Sequence, residues 1–235
     1  MSGLTIVKYR ETERFFFDFL SEKLKEDLLF YAVTGSVSRD DIIPGWSDID
    51  VLVVIREYNK KNASIINKAL VMNSSNIKIG LTLFSYNDFL NIKLFKDPKT
   101  FYSIDLIEQG ICKPKVIDKE IKNSINKIKK ISSWYTNDSL AGIIHGYKHA
   151  LFPVDKYDEK IVYKKLATIL KIILKQNGVT VHGYRDVVYT AKSRLKNLDI
   201  KFETPIYIMK NSDTSLKRYN DYVKFLAWLE NYPKF

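Results

Sequence analysis

The sequence predicts an α/β unit followed by a helical bundle. In the N-terminal part, apolar segments of strand character alternate with amphipathic segments of helical spacing, which is typical of an α/β unit. From Trp134 onward the spacing is helical throughout, which indicates a bundle. The composition shifts after about Lys115, so we expect a border between Pro114 and Trp134, with domains over residues 1–115 and 116–235 and no flexible linker.

The N-terminal unit is predicted to begin with an amphipathic helix over 11–29, because its leucines and phenylalanines recur at helical spacing between charged residues. Gly35 and Ser36 interrupt the strand that follows, and Pro44 and Gly45 mark a turn. The predicted strands span 29–33, 49–55 and 77–84, the other predicted helices span 62–72 and 87–94, and residues 102–110 are predicted as a helix or a strand.

The remainder of the chain is predicted to be helical. The expected helices span 121–131, 140–152, 160–176, 184–195 and 215–232. Gly178 follows one of them and is expected to cap its C-terminus. The aromatic residues after Tyr219 are interpreted as packing residues of the bundle rather than as a stacking platform.

Composition narrows the class of protein. The chain has 235 residues, of which 46% are hydrophobic and 28% charged, as in ordinary globular proteins. The single cysteine, Cys112, excludes an intramolecular disulfide and predicts an intracellular, cytoplasmic protein. No apolar run approaches the roughly 20 residues that cross a bilayer, so we expect no membrane partner.

The net charge of +11 allows two interpretations. Nearly all of it is lysine, whereas geometric recognition of bases and phosphates favours the planar fork of arginine. The charge therefore reflects either a lysine-rich compositional bias or a surface for a nucleic acid. A nucleoside triphosphate is compatible with both interpretations.

Residues 35–54 combine the features of a phosphate site and a metal site. Asp48 and Asp50 are one residue apart on a predicted strand, so both side chains point to the same face. Adjacent carboxylates repel each other unless a cation lies between them, and such oxygen-rich sites suit Mg²⁺. Upstream, Gly35 and Ser36 offer backbone N–H groups and a hydroxyl to phosphate oxygens. These are the parts needed for attack on a nucleoside triphosphate.

The same segment resembles the signature of the DNA polymerase β-type nucleotidyltransferase superfamily. The shared pattern is Gly35-Ser36, 11 intervening residues, and then Asp48 and Asp50 beside an apolar strand. The pair Ser38-Arg39 and the run from Ser47 to Asp50 resemble its minimal branch, which includes antibiotic and antitoxin-type nucleotidyltransferases. The resemblance covers residues 12–112 and implies a core with a mixed β-sheet flanked by helices. The resemblance implies that Asp48 and Asp50 act in catalysis and bind the metal. It implies that Gly35, Ser36, Arg39 and Ser47 bind the nucleotide.

The chain departs from this family pattern in one respect. Members of the family supply a third carboxylate from the next core strand, which here contains Gly80 and Thr82 at the expected place. Asp88 and Asp105 lie later and do not match the motif. A general base would then come from the helical domain or from a second subunit, as in a homodimer. The acids nearest the expected cleft-facing helix ends are Asp138, Asp155, Asp158 and Glu159, and a solvated surface acid is the favoured interpretation of each.

Two functions are compatible with these residues. The first is a Mg²⁺-dependent enzyme that transfers AMP from ATP to an acceptor hydroxyl and releases pyrophosphate. The acceptor is a small hydroxylated molecule or, less favoured, a tRNA end or a protein side chain. The second is a catalytically weak protein of the same fold that binds nucleotide and regulates a partner, as in toxin–antitoxin systems. A nonspecific RNA-binding module rests on charge alone.

Several other residues have alternative roles. His145 and His149 lie four residues apart on one predicted helix, a spacing that can bind a metal, but no third ligand accompanies them. Hydrogen-bonded histidines of the bundle are the favoured interpretation. Lys148 is a candidate contact for the triphosphate, and Trp46 either stacks on a base or caps the core.

Arg39 also has two alternative roles. It follows the Gly-Ser turn closely enough to support a phosphate group. It is equally close to Asp40 and Asp41, with either of which it could form an ion pair.

Overall fold

A computed structural model describes residues 4–91, 98–128, 137–152, 157–198, 205–210 and 215–232. The chain forms two compact units, residues 1–134 and residues 135–235. Among the residues that the structure describes, no helix combines the length and apolar character needed to span a bilayer.

The first unit begins with helix α1, Ile6–Leu24. The Thr5 side chain accepts a hydrogen bond from the Lys8 backbone N–H, and this cap starts the helix five residues earlier than predicted. The helix ends before Lys25, whose φ of 51° does not allow the right-handed α-helix to continue. One 3₁₀ turn, Lys25–Asp27, then leads into the sheet.

The sheet has four strands in the order β3-β2-β1-β4. The strands are β1 Leu28–Thr34, β2 Ile49–Ile55, β3 Ile79–Ser85 and β4 Val116–Ile117. Strand β1 is antiparallel to both of its neighbours, whereas β2 and β3 are parallel. This is the predicted mixed sheet.

Helices cover both faces of the sheet because the strands are apolar on both sides. The helices of this unit after α1 are α2 Gly35–Ser38, α3 Lys60–Val71, α4 Tyr86–Leu90, α5 Pro98–Glu108 and α6 Lys119–Ile128. Val51 and Val53 share a core with residues of α1 and α3. Leu52 and Val54 share a second core with residues of α4, α5 and α6. The even-numbered residues of β2 therefore face α4–α6.

Residues 116–128 belong to the first unit, so its border lies beyond the predicted 115/116 position. Strand β4 pairs with β1, and Ile121 and Ile125 of α6 are buried in the sheet core. Lys115, just before β4, forms an ion pair of 2.8 Å with Glu13 of α1. A two-residue strand gives no detectable periodicity, which is why the sequence did not predict it.

The second unit contains helices only, within the described residues. They are α7 Asn137–Leu151, α8 Glu159–Gln176, α9 Tyr184–Arg194, α10 Pro205–Lys210 and α11 Ser215–Asn231. Helix α8 supplies much of the core, with Leu166, Leu170 and Ile173 fully buried. Gly178 has a φ of 77° just beyond α8, as expected for a helix C-terminus. The predicted α/β core and helical region are thereby confirmed, and within the second unit α10 is a helix that the sequence did not predict.

Candidate active site

The end of β1 and the start of β2 lie side by side. In the antiparallel register Thr34 is opposite Asp50, so the turn that begins at Gly35 is adjacent to the acidic pair. Gly35 has a φ of +70°, and a Cβ atom placed on it would lie 2.6 Å from Oδ2 of Asp50. The glycine therefore serves two purposes: it permits the left-handed backbone and it leaves room for the Asp50 carboxylate.

The predicted acidic pair lies at the entry to β2. Asp50 is the second residue of β2, and Asp48 is the residue directly before the strand begins at Ile49. Both side chains are half-buried, so each carboxylate retains access to a ligand. Asp50 shares the face of the sheet that carries Leu52 and Val54. Carboxylate oxygen is the ligand type that a hard cation such as Mg²⁺ prefers.

Tyr9 of α1 holds the loop before the acidic pair, and the sequence analysis did not identify it. Its hydroxyl donates to the Ser47 carbonyl at 2.9 Å and accepts from the Gly45 N–H at 3.1 Å. Burial, opposed by the Gly45 hydrogen bond and assisted by the nearby Asp48 charge, raises the pKa of this phenol. The hydroxyl therefore stays protonated and keeps donating to the loop that positions Asp48.

Two predicted nucleotide ligands also organise the backbone of the site. The Ser47 hydroxyl accepts a hydrogen bond from the Ile43 N–H at 2.9 Å, and Ser47 itself is buried. The Ser36 carbonyl accepts from the Asp41 N–H at 3.1 Å. These contacts stabilise the two loops that flank the acidic pair. Nucleotide binding by Ser36 and Ser47 stays a prediction.

Trp46 belongs to the core. It is 1% exposed, so its ring cannot stack on a base without unfolding of the loop. Of the two roles that the sequence left open, core packing is therefore the correct one.

Arg39 pairs with Asp41 rather than with Asp40. Its Nη2 atom lies 3.1 and 2.9 Å from the two Asp41 carboxylate oxygens, and its Nη1 atom donates to the Tyr102 hydroxyl at 3.3 Å. The Arg39 side chain is only 9% exposed. Asp40 instead forms an ion pair with Arg10 of α1. Burial raises the pKa of Tyr102 to about 12, although the Arg39 charge opposes the shift, so this hydroxyl remains a neutral partner.

A second contact ties the same turn to the residues after α5. The Cys112 thiol lies 2.9 Å from the Ser38 hydroxyl, which donates to the Gly35 carbonyl at 3.0 Å. Burial raises the pKa of the thiol, so Cys112 stays protonated as a hydrogen-bond donor. Arg39 and Ser38 thus connect the Gly35 turn to a buried network, which favours a positioning role for Arg39.

If Arg39 positions the Gly35 turn, removing its partner charge at Asp41 should lower the affinity for a triphosphate. We expect Asp41→Asn and Arg39→Ala each to weaken triphosphate binding by ~10- to 100-fold, as is common for residues that orient ligands indirectly. The double variant should be little worse than either single variant, because both remove one interaction. Calorimetric titration with a nonhydrolysable triphosphate measures this.

Asp40→Asn is the matched control, because it removes an exposed neighbouring carboxylate that pairs with Arg10. It should bind triphosphate like the wild type. If Arg39 instead contacted phosphate directly, Asp41→Asn would free the guanidinium, and affinity would be unchanged or higher.

The place of the expected third carboxylate is now defined by the strand register. Gly80 of β3 is directly opposite Asp50, and Thr82 is opposite Leu52. Both therefore share the face that carries Asp50. Within the described ranges, no group of three or more His, Cys, Asp or Glu residues is arranged to hold a metal ion. A cation at Asp48 and Asp50 would accordingly take its other ligands from phosphate or water.

The two later acids of this unit have other positions. Asp88 forms a capping box with Ser85 at the start of α4, with backbone-to-side-chain distances of 3.1 and 3.4 Å. Asp105 lies on α5, and its charge contributes to the raised pKa of Tyr102, for which burial is the main cause. Asp88 thus has a structural role.

Those candidate residues of the second unit that the structure describes have contacts within that unit. Glu159 is buried and accepts hydrogen bonds of 2.6 Å from both Nε and Nη2 of Arg218. Asp158 caps α8 by accepting from the Ile161 N–H. Lys148 is exposed and lies 3.8 Å from Glu230. The Asp138 side chain and Asp155 lie outside the described residues.

Two comparisons with known proteins give matches. The sequence model of the nucleotidyltransferase domain matches residues 14–131, just over half of the chain and entirely within the first unit. No curated protein matches the sequence significantly. Among solved structures, the chain is similar to spectinomycin adenyltransferase AAD(9) from Enterococcus faecialis, crystallised with ATP and spectinomycin. That match has 14% identity and a TM-score of 0.45, and it covers 92% of this chain and 99% of the other. The family match includes the Gly35 turn and both acids.

Proposed function

Because the chain belongs to the nucleotidyltransferase domain family, we propose that it transfers AMP from ATP to an acceptor hydroxyl and releases pyrophosphate. The observation that carries the proposal is the proximity of the Gly35 turn to the half-buried Asp48 and Asp50. A phosphate-binding turn beside paired carboxylates is an arrangement suited to a nucleoside triphosphate and its divalent cation.

Each part of this site has a role in the proposed reaction. Backbone N–H groups of Gly35 and Ser36 hold the outer phosphates, and Asp48 and Asp50 hold Mg²⁺. When bound, Mg²⁺ supplies positive charge that stabilises the transferring phosphoryl group. The acceptor oxygen forms a bond to the α-phosphorus while the bond from that phosphorus to pyrophosphate breaks. The acceptor proton passes to solvent or to a base outside the acidic pair.

A small hydroxylated molecule is the acceptor class that we propose. The helical unit follows the core in the same chain, and a single chain with its own helical unit favours a small acceptor over a tRNA end or a protein side chain. The proposed reaction is tested by measuring pyrophosphate release from ATP, with and without Mg²⁺, against a panel of hydroxylated compounds. Release that requires an acceptor and yields an adenylylated product supports it.

A catalytically weak, nucleotide-binding protein is the second candidate function. It is favoured by one observation: Gly80 is opposite Asp50, where the family pattern has an acid. A protein of this kind would bind ATP in the presence of Mg²⁺ but would release no pyrophosphate with any acceptor.

Adding an acid to β3 distinguishes the two candidates. We expect Gly80→Asp to raise slow wild-type turnover by ~10-fold or more, because a carboxylate next to Asp50 strengthens binding of a second metal ion. Thr82→Asp should help less, since it is opposite Leu52, two residues further from the acidic pair. The wild type, Gly80→Asp and Thr82→Asp are compared by measuring pyrophosphate release with one acceptor as a function of Mg²⁺ concentration.

The possible outcomes separate the hypotheses. Fast wild-type turnover that both substitutions destroy would mean that another residue already acts as the base. Three inert proteins that still bind ATP would support the regulatory function. Melting temperatures of both variants control for misfolding of the strand.

A further inference from the structure

Two histidines of the second unit lie in contact on an exposed surface. His145 and His149 are one turn apart on α7, and their Nε2 atoms are 3.0 Å from each other. Both side chains are exposed. Both histidines belong to the second unit, whereas Asp48, Asp50 and the Gly35 turn belong to the first.

The nitrogen separation matches that of a metal chelate. Imidazole nitrogen binds Zn²⁺ and similar ions at about 2.0–2.1 Å, so two nitrogens on one ion are about 2.9 Å apart at a right angle and about 3.3 Å apart at the tetrahedral angle. Without an ion the two rings share a hydrogen bond, in which the Nε2–H of one ring donates to the Nε2 of the other. The observed 3.0 Å lies within the range for a shared ion, so one ion can replace the hydrogen bond between the rings with little movement of either side chain.

The backbone that carries the pair is held in place. Tyr147, between the two histidines, is fully buried and donates a hydrogen bond of 2.8 Å to the Tyr222 carbonyl of α11. This contact fixes the rotation of α7, so positions 145 and 149 both face outward. The neighbouring Lys148 charge is partly balanced by Glu230 at 3.8 Å. Little conformational entropy is lost on binding an ion, because the helix is already ordered.

We propose that His145 and His149 bind one divalent transition-metal ion. Imidazole nitrogen selects Zn²⁺, Ni²⁺ or Cu²⁺ over Mg²⁺, which prefers oxygen. Since no third protein ligand is arranged beside them within the described ranges, water completes the coordination. The site is thus chemically distinct from the acidic pair at Asp48 and Asp50.

The test is calorimetric titration of the full chain, without a polyhistidine tag, with Ni²⁺. Excess Mg²⁺ in the buffer occupies the carboxylates. We expect one ion per chain. The affinity should fall more than ~10-fold in H145Q and in H149Q, because loss of a metal ligand costs at least as much affinity as loss of a residue that orients such a ligand. The chain has three histidines, so H182Q is the matched control and should bind like the wild type.

A spectroscopic measurement excludes an indirect effect on folding. Electron paramagnetic resonance of the Cu²⁺ form should show coupling to two imidazole nitrogens in the wild type and to one in either single variant. The proposal is overturned if wild-type protein shows no saturable binding. It is equally overturned if H145Q and H149Q bind as tightly as H182Q.

Discussion

Asp48→Asn is expected to lower Mg²⁺-dependent turnover of ATP by ~1,000-fold, because stabilisation of the transferring group by a metal ion is worth several kcal/mol. The substitution keeps the size of the side chain but removes one of the two charges that hold the cation. The fold should survive, since one source of like-charge repulsion also disappears. Turnover is measured by pyrophosphate release, and metal-dependent binding by titration with ATP in Mg²⁺ and in its absence.

Asp88→Asn provides the matched control for this experiment. Asp88 is the third residue of α4 and forms a capping box with Ser85, and Asn keeps the acceptor oxygen, so loss of the charge should cost about 0.3–1 kcal/mol of stability and leave turnover unchanged. Unchanged ATP affinity of Asp48→Asn in the presence of Mg²⁺ would contradict the metal assignment. Equal losses of turnover in Asp48→Asn and Asp88→Asn would point to a general effect of stability.

Gly35→Ala is the second variant for which we expect a large loss. The added Cβ would lie 2.6 Å from Oδ2 of Asp50, so the carboxylate or the turn must move. The substitution should therefore weaken triphosphate binding far more than monophosphate binding and lower turnover by ~100-fold or more, the scale set by loss of one preorganised contact to the reacting group. Gly35→Val should be worse, because a branched side chain also blocks the approach of the outer phosphates.

Gly110→Ala separates this contact from backbone strain. Gly110 has a φ of +71°, close to that of Gly35, but a Cβ added there would meet nothing within 4 Å. Both variants should lose about 1–2 kcal/mol of stability from the left-handed backbone. Only Gly35→Ala should lose triphosphate binding. Equal losses of ATP and AMP affinity in Gly35→Ala would count against the phosphate role of the turn.

Local sequence patterns were sufficient to predict most of the elements. The segment Ile49–Ile55 is a strand with the predicted bounds, since five of its seven residues are β-branched. The resemblance of Gly35, Ser36, Asp48 and Asp50 to a family signature implied a nucleotidyltransferase, and the family match to residues 14–131 confirms it. The bounds of α1 were less accurate, because they depend on the Thr5 cap and the backbone of Lys25.

Contacts distant in sequence could not be predicted in this way. Tyr9 holds the Ser47 carbonyl across 38 positions of the chain, and Glu13 pairs with Lys115 across 102. Neither contact has a local pattern, because each depends on how α1 packs against the sheet. The choice of Asp41 over Asp40 as the partner of Arg39 likewise depends on the left-handed φ of 58° at Asp40, which directs the two carboxylates apart.

The sequence by itself determined the chemistry available to this protein: which residues carry carboxylates, where a glycine permits a turn, and which segments are apolar enough to form the core. Only the tertiary structure decided which of these groups meet. The register between β2 and β3 places Gly80 opposite Asp50, and the register between β1 and β2 places Gly35 against the same carboxylate. The physical reason is that side-chain spacing along one strand defines its faces, whereas the alignment between strands is set by packing of the whole core.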